Sequence, residues 1–503
     1  MKDEETTMTE TIVVGAGVGG LAAAIELGAA GRRVTVLEAG PSPGGKAGVV
    51  QLDGVEVDTG PSVLTLPEVF RELIARAGLD PDAELVLRRA SPGFRYRFPD
   101  GVVVDVHHEL DATLASVAAT LGQEAAGELE AFLRYAAGIW DAAAPAFVFG
   151  PAPNVRGMLS LGLSGLTAAL SIDAFHSMQG AIDKRVRSPH LRQILQRYAT
   201  YNGSDMRQAP ATLNCIAHVE LALGGFGVEG GIASLVRALV RAAEAVGVRF
   251  VYGAPVERVL LERRAVRGVV AGGREHRADE VVMNADVAHV VGDLLPAEAG
   301  RRIRRSSTPS MSGYTAIYAA RRRPDRVPHG VVFPERYAEE FVDIFDRDRP
   351  PAEPTVYLCA QEACHGRRGW AEHEPIFVMA NAPPEPIDGS RPAAVWAELR
   401  EAVRARAVAA GQLAPDDRLV WERTPTDLAR QFPGSRGAIY GASSNSMTAA
   451  FQRPENAVSG VTGLYLASGS AHPGGGLPLA AQSGRLAAQA ALAVRGGKSE
   501  VAA

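Results

Sequence analysis

A chain of 503 residues with 52 Lys and Arg against 57 Asp and Glu has a net charge of −5. That length allows two or three domains, and the charge leaves no basic footprint for a nucleic-acid partner. Its 54 glycines and 32 prolines argue for many turns and against a bundle of long helices. The three cysteines, Cys215, Cys359 and Cys364, are too few for a disulfide framework, and Cys359/Cys364 have no second cysteine pair to complete a zinc site, so no metal is expected.

The opening MKDEETTMTE has no basic n-region and no apolar h-region, so it does not read as a signal peptide. No run of about 20 residues is apolar enough to span a bilayer. A cytoplasmic location is expected.

TIVVG, from Thr11, predicts a buried parallel strand. Gly15, Gly17 and Gly20 follow it as G-x-G-x-x-G, LAAAIELGAAG predicts a helix, and RVTVLEAG a second strand ending in Glu38. In this βαβ setting Gly15 allows a tight turn. Gly17 lets the backbone approach a pyrophosphate, and Gly20 lets helix and strand pack closely. The helix N-terminus offers N–H groups and a positive dipole end to phosphates. Glu38 stands where a carboxylate accepts ribose hydroxyls, so a dinucleotide site is expected. A second glycine-rich turn, AGPSPGGKAG, and then VDTGPSVLTLP follow at once. They suit FAD, which needs backbone contacts beyond the pyrophosphate. Lys46 is either a phosphate or flavin contact or a solvated loop lysine.

Further on, LPEVFRELIARAGL (66–79) has helical spacing, and FRYRFPDGVVVDV (94–106) predicts a hairpin turning at Asp100–Gly101. Residues 109–140 predict helices. Between Asp141 and Asp173 the only charge is Arg156. This run, with Phe147, Phe149, Met158, Leu159, Leu161 and Leu163, reads as an apolar cap, a channel lining, a face that dips into lipid, or buried core. Leu191, Ile194, Leu195 and Tyr198 share a face of a helix over 191–201. GIASLVRALVRAAEAVG (231–247) predicts an amphipathic helix, followed by the strands VRFVYG and DEVVMNAD.

Near the C-terminus, LYLASGSAHPGGGLPLAAQSG predicts a strand ending at Ala467, a glycine-rich turn and a helix from about Pro478. That turn brings Gly475, Gly476, Leu477 and Pro478 against a flavin ring, with a second helix N-terminus to stabilise an anionic reduced flavin. His472 is a candidate acid/base, or else it satisfies a backbone group in the turn. The catalytic base is otherwise not assigned. No HExxH motif is present.

Three blocks carry a family resemblance: Thr11–Pro61; GVEGGIASLVRALVRAAEAVGVRFVYGAPVERVL with ADEVVMNADV; and GLYLASGSAHPGGGLPLAAQSGRLAA. The chain resembles the phytoene-desaturase-type FAD-dependent carotenoid desaturases of the amine-oxidase-like flavoproteins. The resemblance implies an α/β fold, with a Rossmann-like FAD-binding domain, a discontinuous α+β substrate domain and a helical apolar cap. The FAD parts are expected over 8–62, 224–300 and 456–495, and the substrate parts over 63–223 (with the apolar insert at about 109–180) and 301–455. It adds Gly19, Ala39, Gly45, Gly60, Pro61, Val256 and Gly469 to the FAD contacts. It implies loss of a hydride to flavin N5 and of a proton from the adjacent carbon, with oxygen or a quinone as electron acceptor. An acyclic carotenoid substrate of roughly forty carbons, at ~0.8 kcal/mol per buried CH₂, has to come from lipid, so a peripheral membrane habit is expected. LRQILQRYATYNGSDMRQAPATLNCIAHVEL (191–221) looks most like the hydroxycarotenoid 3,4-desaturases. Arg197, Tyr198, Tyr201 and Asn202 there suit a tertiary hydroxyl, or else bond between helices. The alternatives are phytoene desaturation, another flavin oxidase or a carotenoid isomerase, and a non-enzymatic lipid escort.

Overall fold

The computed structural model describes residues 8–153, 171–306 and 308–499. Met158, Leu159, Leu161 and Leu163 of the charge-poor run lie outside them.

Five short strands form one parallel sheet in the order Leu464–Leu466, Glu280–Met283, Glu10–Val14, Arg33–Leu37, Arg249–Val251. They read as nearly continuous apolar runs because both faces of the sheet are covered. Successive side chains point to opposite faces. Val13, Val34 and Val36 pack with residues of the helices Val18–Ala29, Ile232–Ala245 and Leu477–Ser499. Ile12, Val14 and Leu37 pack instead against Val259, Val266 and Val269 of a three-stranded antiparallel sheet, 256–277.

The second large element is a seven-stranded sheet in the order Arg418–Arg423, Ser312–Arg321, His373–Ala382, Val356–Ala360, His329–Val332, Phe94–Arg97, Val103–Val106. The period of two again sorts the faces. Ile376, Val378 and Ala380 pack with Trp396, Leu399 and Val403 of the helix Ala393–Ala409. Phe377, Met379 and Asn381 face a large cavity instead. This is an α/β architecture, with the cavity between the two sheets.

The 94–106 hairpin forms as expected, with Gly101 at φ +86° in its turn. Residues 110–143 form two helices, broken at Gly122 (φ +95°). The helix expected over 191–201 stops at Gln196, and Arg197–Asn202 tightens into a 3₁₀ turn. There the Thr200 hydroxyl donates to the Arg197 carbonyl at 2.8 Å, a local bond that competes with the α-helical ladder. Among the described residues no helix is long and apolar enough to cross a membrane.

Candidate active site

The C-terminal ends of the parallel strands open onto a cavity of about 830 Å³. Of the residues expected to hold FAD, all but Gly20 line it. Gly20 serves the packing instead. A Cβ there would lie 2.1 Å from the Gly15 carbonyl oxygen, so the bare residue lets helix and strand touch. At Gly17 a Cβ would meet only the Asn284 side-chain oxygen, at 2.5 Å. No side chain caps the helix Val18–Ala29, and its first turn holds no acid. The helix Leu477–Ser499 also starts on the cavity and crosses the first closely: a Cβ on Gly484 would meet the Gly19 carbonyl oxygen at 2.1 Å. Two helix N-termini therefore open on one cavity, an arrangement suited to phosphate at one end and an anionic ring at the other.

Glu38 is held by backbone. Its Oε2 accepts from the Ala16 N–H at 2.6 Å and its Oε1 from the Gly40 N–H at 2.7 Å. A carboxylate has about four acceptor positions, so two remain for a ribose. Glu38→Ala is expected to weaken FAD retention by roughly 1–3 kcal/mol, the scale of lost bonds to a charged acceptor. The flavin dissociation constant checks this.

The Lys46 ammonium donates to the Ala438 and Ile439 carbonyls, each at 2.9 Å, and lies over the Phe432 ring. It ties the second glycine turn to the far wall and is not a solvated loop lysine. Burial pushes its pKa down, and Asp286 opposes that shift. Arg423 and Arg453 also line the cavity, and burial pushes each guanidinium down to about 10. Among the described lining residues, these cations and Arg197 face the carboxylates Glu38 and Asp286. A dinucleotide with two phosphates fits that balance.

The substrate-side residues divide. Arg197, Tyr201 and Asn202 line the cavity; Tyr198 stands behind it, fully buried. Glu220 accepts from the Tyr198 hydroxyl at 2.9 Å and from the Tyr201 hydroxyl at 2.6 Å. Arg197 donates to the Tyr201 oxygen at 3.2 Å, and its guanidinium lies 5.1–6.0 Å from the ring centres of Phe94, Tyr96, Tyr201 and Tyr357. These polar groups hold one another. Asn202 differs: its Oδ1 accepts from Ser444 at 3.1 Å and from Arg453 at 3.3 Å. His472 also lines the cavity, but its Nε2 donates to the Gly150 carbonyl at 3.0 Å, and burial pushes its pKa down. The ring N–H is thus spent on a backbone carbonyl outside the glycine turn, which is neither the bond expected within the turn nor the free nitrogen an acid/base needs.

Asn284, Tyr440 and Arg453 were not anticipated. Asn284 follows directly on a buried strand, at the carboxyl edge where open parallel sheets bind ligands; that position was the available signal. It donates to the Ala467 carbonyl and so ties the first and last glycine turns together. Tyr440 packs on Gly475, where a Cβ would lie 2.8 Å from its ring. Arg453 packs on Gly474, with its guanidinium carbon 3.1 Å from a built Cβ. Its Nη1 has no hydrogen-bond partner among the described residues.

Comparison with known proteins agrees with this geometry. The family model for flavin containing amine oxidoreductase matches residues 18–492. The hydroxyneurosporene desaturase of Rubrivivax gelatinosus is 35% identical over 496 residues, covering 96% of this chain and 93% of that protein. The hydroxyneurosporene desaturase of Rhodobacter capsulatus is 34% identical, covering 97% and 98%. The 4,4'-diaponeurosporene oxygenase of Staphylococcus aureus is 29% identical, covering 94% and 96%. Among solved structures, a putrescine oxidase bound to putrescine superposes with a TM-score of 0.61 at 16% identity, over 97% of this chain and 99% of that one. The cyclohexylamine oxidase of Brevibacterium oxydans gives 0.58, also at 16%, over 97% and 100%. The chain belongs to the flavin containing amine oxidoreductase family, in its carotenoid desaturase branch, as an FAD-dependent oxidoreductase.

Proposed function

We propose that the chain desaturates acyclic carotenoids, and specifically 1-hydroxy carotenoids at the 3,4 bond. The observation that carries the finer reading is Arg453. It is a guanidinium only 8% exposed, on the wall of a largely apolar cavity, with Nη1 unpartnered. Its Nη2 donates to Asn202 and to the Ala442 carbonyl, but a buried N–H of a charged group left without an acceptor is costly, and a hydroxyl oxygen is an acceptor Nη1 can use. A hydroxyl on C1 lies only two carbon–carbon bonds from C3, so whatever holds it must stand beside the reacting bond. Arg453 packs on the glycine turn expected to face the flavin, and Asn202 is bonded to it. The desaturases named after hydroxyneurosporene, the most similar relatives described above, support the same reading. An amine oxidase would bring a cationic substrate to this same unpaired cation, which disfavours that alternative.

FAD, when bound, supplies the hydride acceptor. The chain's own part is to exclude water, align the polyene along Phe377 and Met379, and fix its hydroxylated end at Arg453 and Asn202. A site built around a hydroxyl rejects an analogue that lacks it far more strongly than a methylene-sized difference allows. The test is turnover of phytoene against 1-hydroxyneurosporene in liposomes, with products resolved by chromatography. The hydroxylated substrate is expected to win by at least the ~1–3 kcal/mol cost of an unpaired buried group. Arg453→Leu and Asn202→Leu narrow that margin. Efficient phytoene conversion with no turnover of the hydroxylated substrate overturns the subtype and leaves phytoene desaturation.

The chain is further proposed to sit at a membrane surface, with oxygen or a membrane quinone taking the electrons. Phe149 and Phe175 are 40% and 63% exposed, and each adjoins a residue that lines the cavity, Val148 and Ala174. Exposed apolar groups beside a cavity mouth fit a lipid-facing entrance. Phe149→Asp with Phe175→Asp is expected to reduce liposome co-sedimentation while the flavin spectrum stays intact. Unchanged sedimentation contradicts it.

A further inference from the structure

Outside the FAD cavity, the fold assembles a set of soft ligands that the sequence keeps apart. His329 and Cys359 stand directly opposite each other on the paired strands His329–Val332 and Val356–Ala360. Cys364 returns to them on the short helix Gln361–His365. One ligand atom from each, the imidazole nitrogen and two Sγ atoms, lies within 4.8 Å of the others. All three residues are buried, at 4%, 0% and 3% exposure.

From this geometry we propose that His329, Cys359 and Cys364 bind a single zinc ion. Zinc bonds of about 2.3 Å to sulfur and about 2.0 Å to nitrogen put a sulfur and a nitrogen ligand about 3.5 Å apart on a tetrahedron. His329 Nε2 and Cys364 Sγ are 3.5 Å apart. The other ring nitrogen, Nδ1, is 2.8 Å from the Tyr357 hydroxyl, the outer contact that orients a ligating histidine. Two thiolates and a neutral imidazole cancel the charge of a divalent ion, so the buried site has no net charge to desolvate. Binding releases the two thiol protons to solvent. The fourth position belongs to a water. A separate cavity of about 30 Å³, lined in part by His329 and Cys364, adjoins the cluster and has room for one.

His365 is not a ligand. Its Nδ1 lies 3.3 Å from the Val228 N–H and accepts it, which leaves the ring proton on Nε2. Asp58 lies 4.0 Å from that Nε2 and is outside the ligand set; it caps the helix Ile232–Ala245 through the Ile232 and Ala233 N–H groups. The fourth position opens only on a space the size of one water, so the zinc holds the fold together and takes no substrate. It clamps the two strands to the short helix behind Tyr357, on the main cavity wall.

The test is metal content by mass spectrometry on FAD-loaded, full-length protein, purified without a polyhistidine tag. About one zinc per chain is expected, lost in Cys364→Ser and Cys359→Ser. Should those variants fail to retain FAD, the wild-type protein is exchanged with Co²⁺, and a thiolate-to-cobalt charge-transfer band in the near ultraviolet is expected. Background zinc with no cobalt band overturns the proposal. So does zinc that persists in both variants, which marks an adventitious ion, or a Cys359–Cys364 disulfide found by non-reducing thiol titration.

Discussion

Gly17→Val is expected to give a folded protein that retains no FAD. The glycines of the fingerprint separate these outcomes by what a side chain would strike. At Gly20 the obstacle is the Gly15 backbone carbonyl, 2.1 Å from a built Cβ, so a valine there pries the helix Val18–Ala29 from its strand and compromises folding. At Gly19 the obstacles are the Ala467 and Ala480 carbonyls, at 2.4 and 2.8 Å, which join the two cavity helices. At Gly17 the only close atom is the Asn284 side-chain oxygen; moving it costs the Asn284–Ala467 hydrogen bond and leaves the helix–strand contact in place. What the valine keeps is the space where a pyrophosphate has to approach bare backbone. The measurement is flavin absorbance per chain after gel filtration, beside a circular dichroism spectrum. Wild-type flavin content in Gly17→Val contradicts the assignment; loss of fold in Gly17→Val but not in Gly20→Val contradicts the division of roles.

Glu220→Leu is expected to destabilise the protein by about 3–5 kcal/mol, the scale of leaving two buried hydroxyls, those of Tyr198 and Tyr201, without their charged acceptor. Glu220 is 5% exposed, and its charge acts on Arg197, which is 6% exposed. Tyr201→Phe removes one hydroxyl, with its bonds to Arg197 and Glu220, and leaves both charges, so it is expected to cost less, about 1.5–3 kcal/mol. Because a chain of this size need not unfold in two states, the comparison is of chemical unfolding midpoints among variants. Glu220→Leu as stable as Tyr201→Phe contradicts the view that this network is scaffold.

The dinucleotide half was legible because its signals are local. Glycines at fixed offsets, an apolar run of four or five residues and an acid at a strand end each fix a backbone feature within a few positions. The seven-stranded sheet was not legible, since Phe94–Arg97 pairs with His329–Val332 across an intervening stretch with elements of its own. The polar residues at 197–202 were visible as polar. Their partners were not, because Glu220 reaches Tyr198 and Tyr201 through tertiary folding. Arg453, within QRPEN, carries no local sign of its role; burial against Gly474 gives it one. The cysteines looked incomplete for metal because the third ligand, His329, enters from the neighbouring strand.

The central claim is that an acyclic carotenoid reduces the flavin of this protein. An anaerobic titration of FAD-loaded protein with carotenoid-bearing vesicles tests it most directly, following flavin and polyene absorbance together. Bleaching of the oxidised flavin in proportion to carotenoid added, with the polyene spectrum moving to longer wavelength as conjugation lengthens, is the result expected. A flavin that stays oxidised with hydroxylated and unhydroxylated carotenoids alike, yet bleaches with a primary amine, would contradict it.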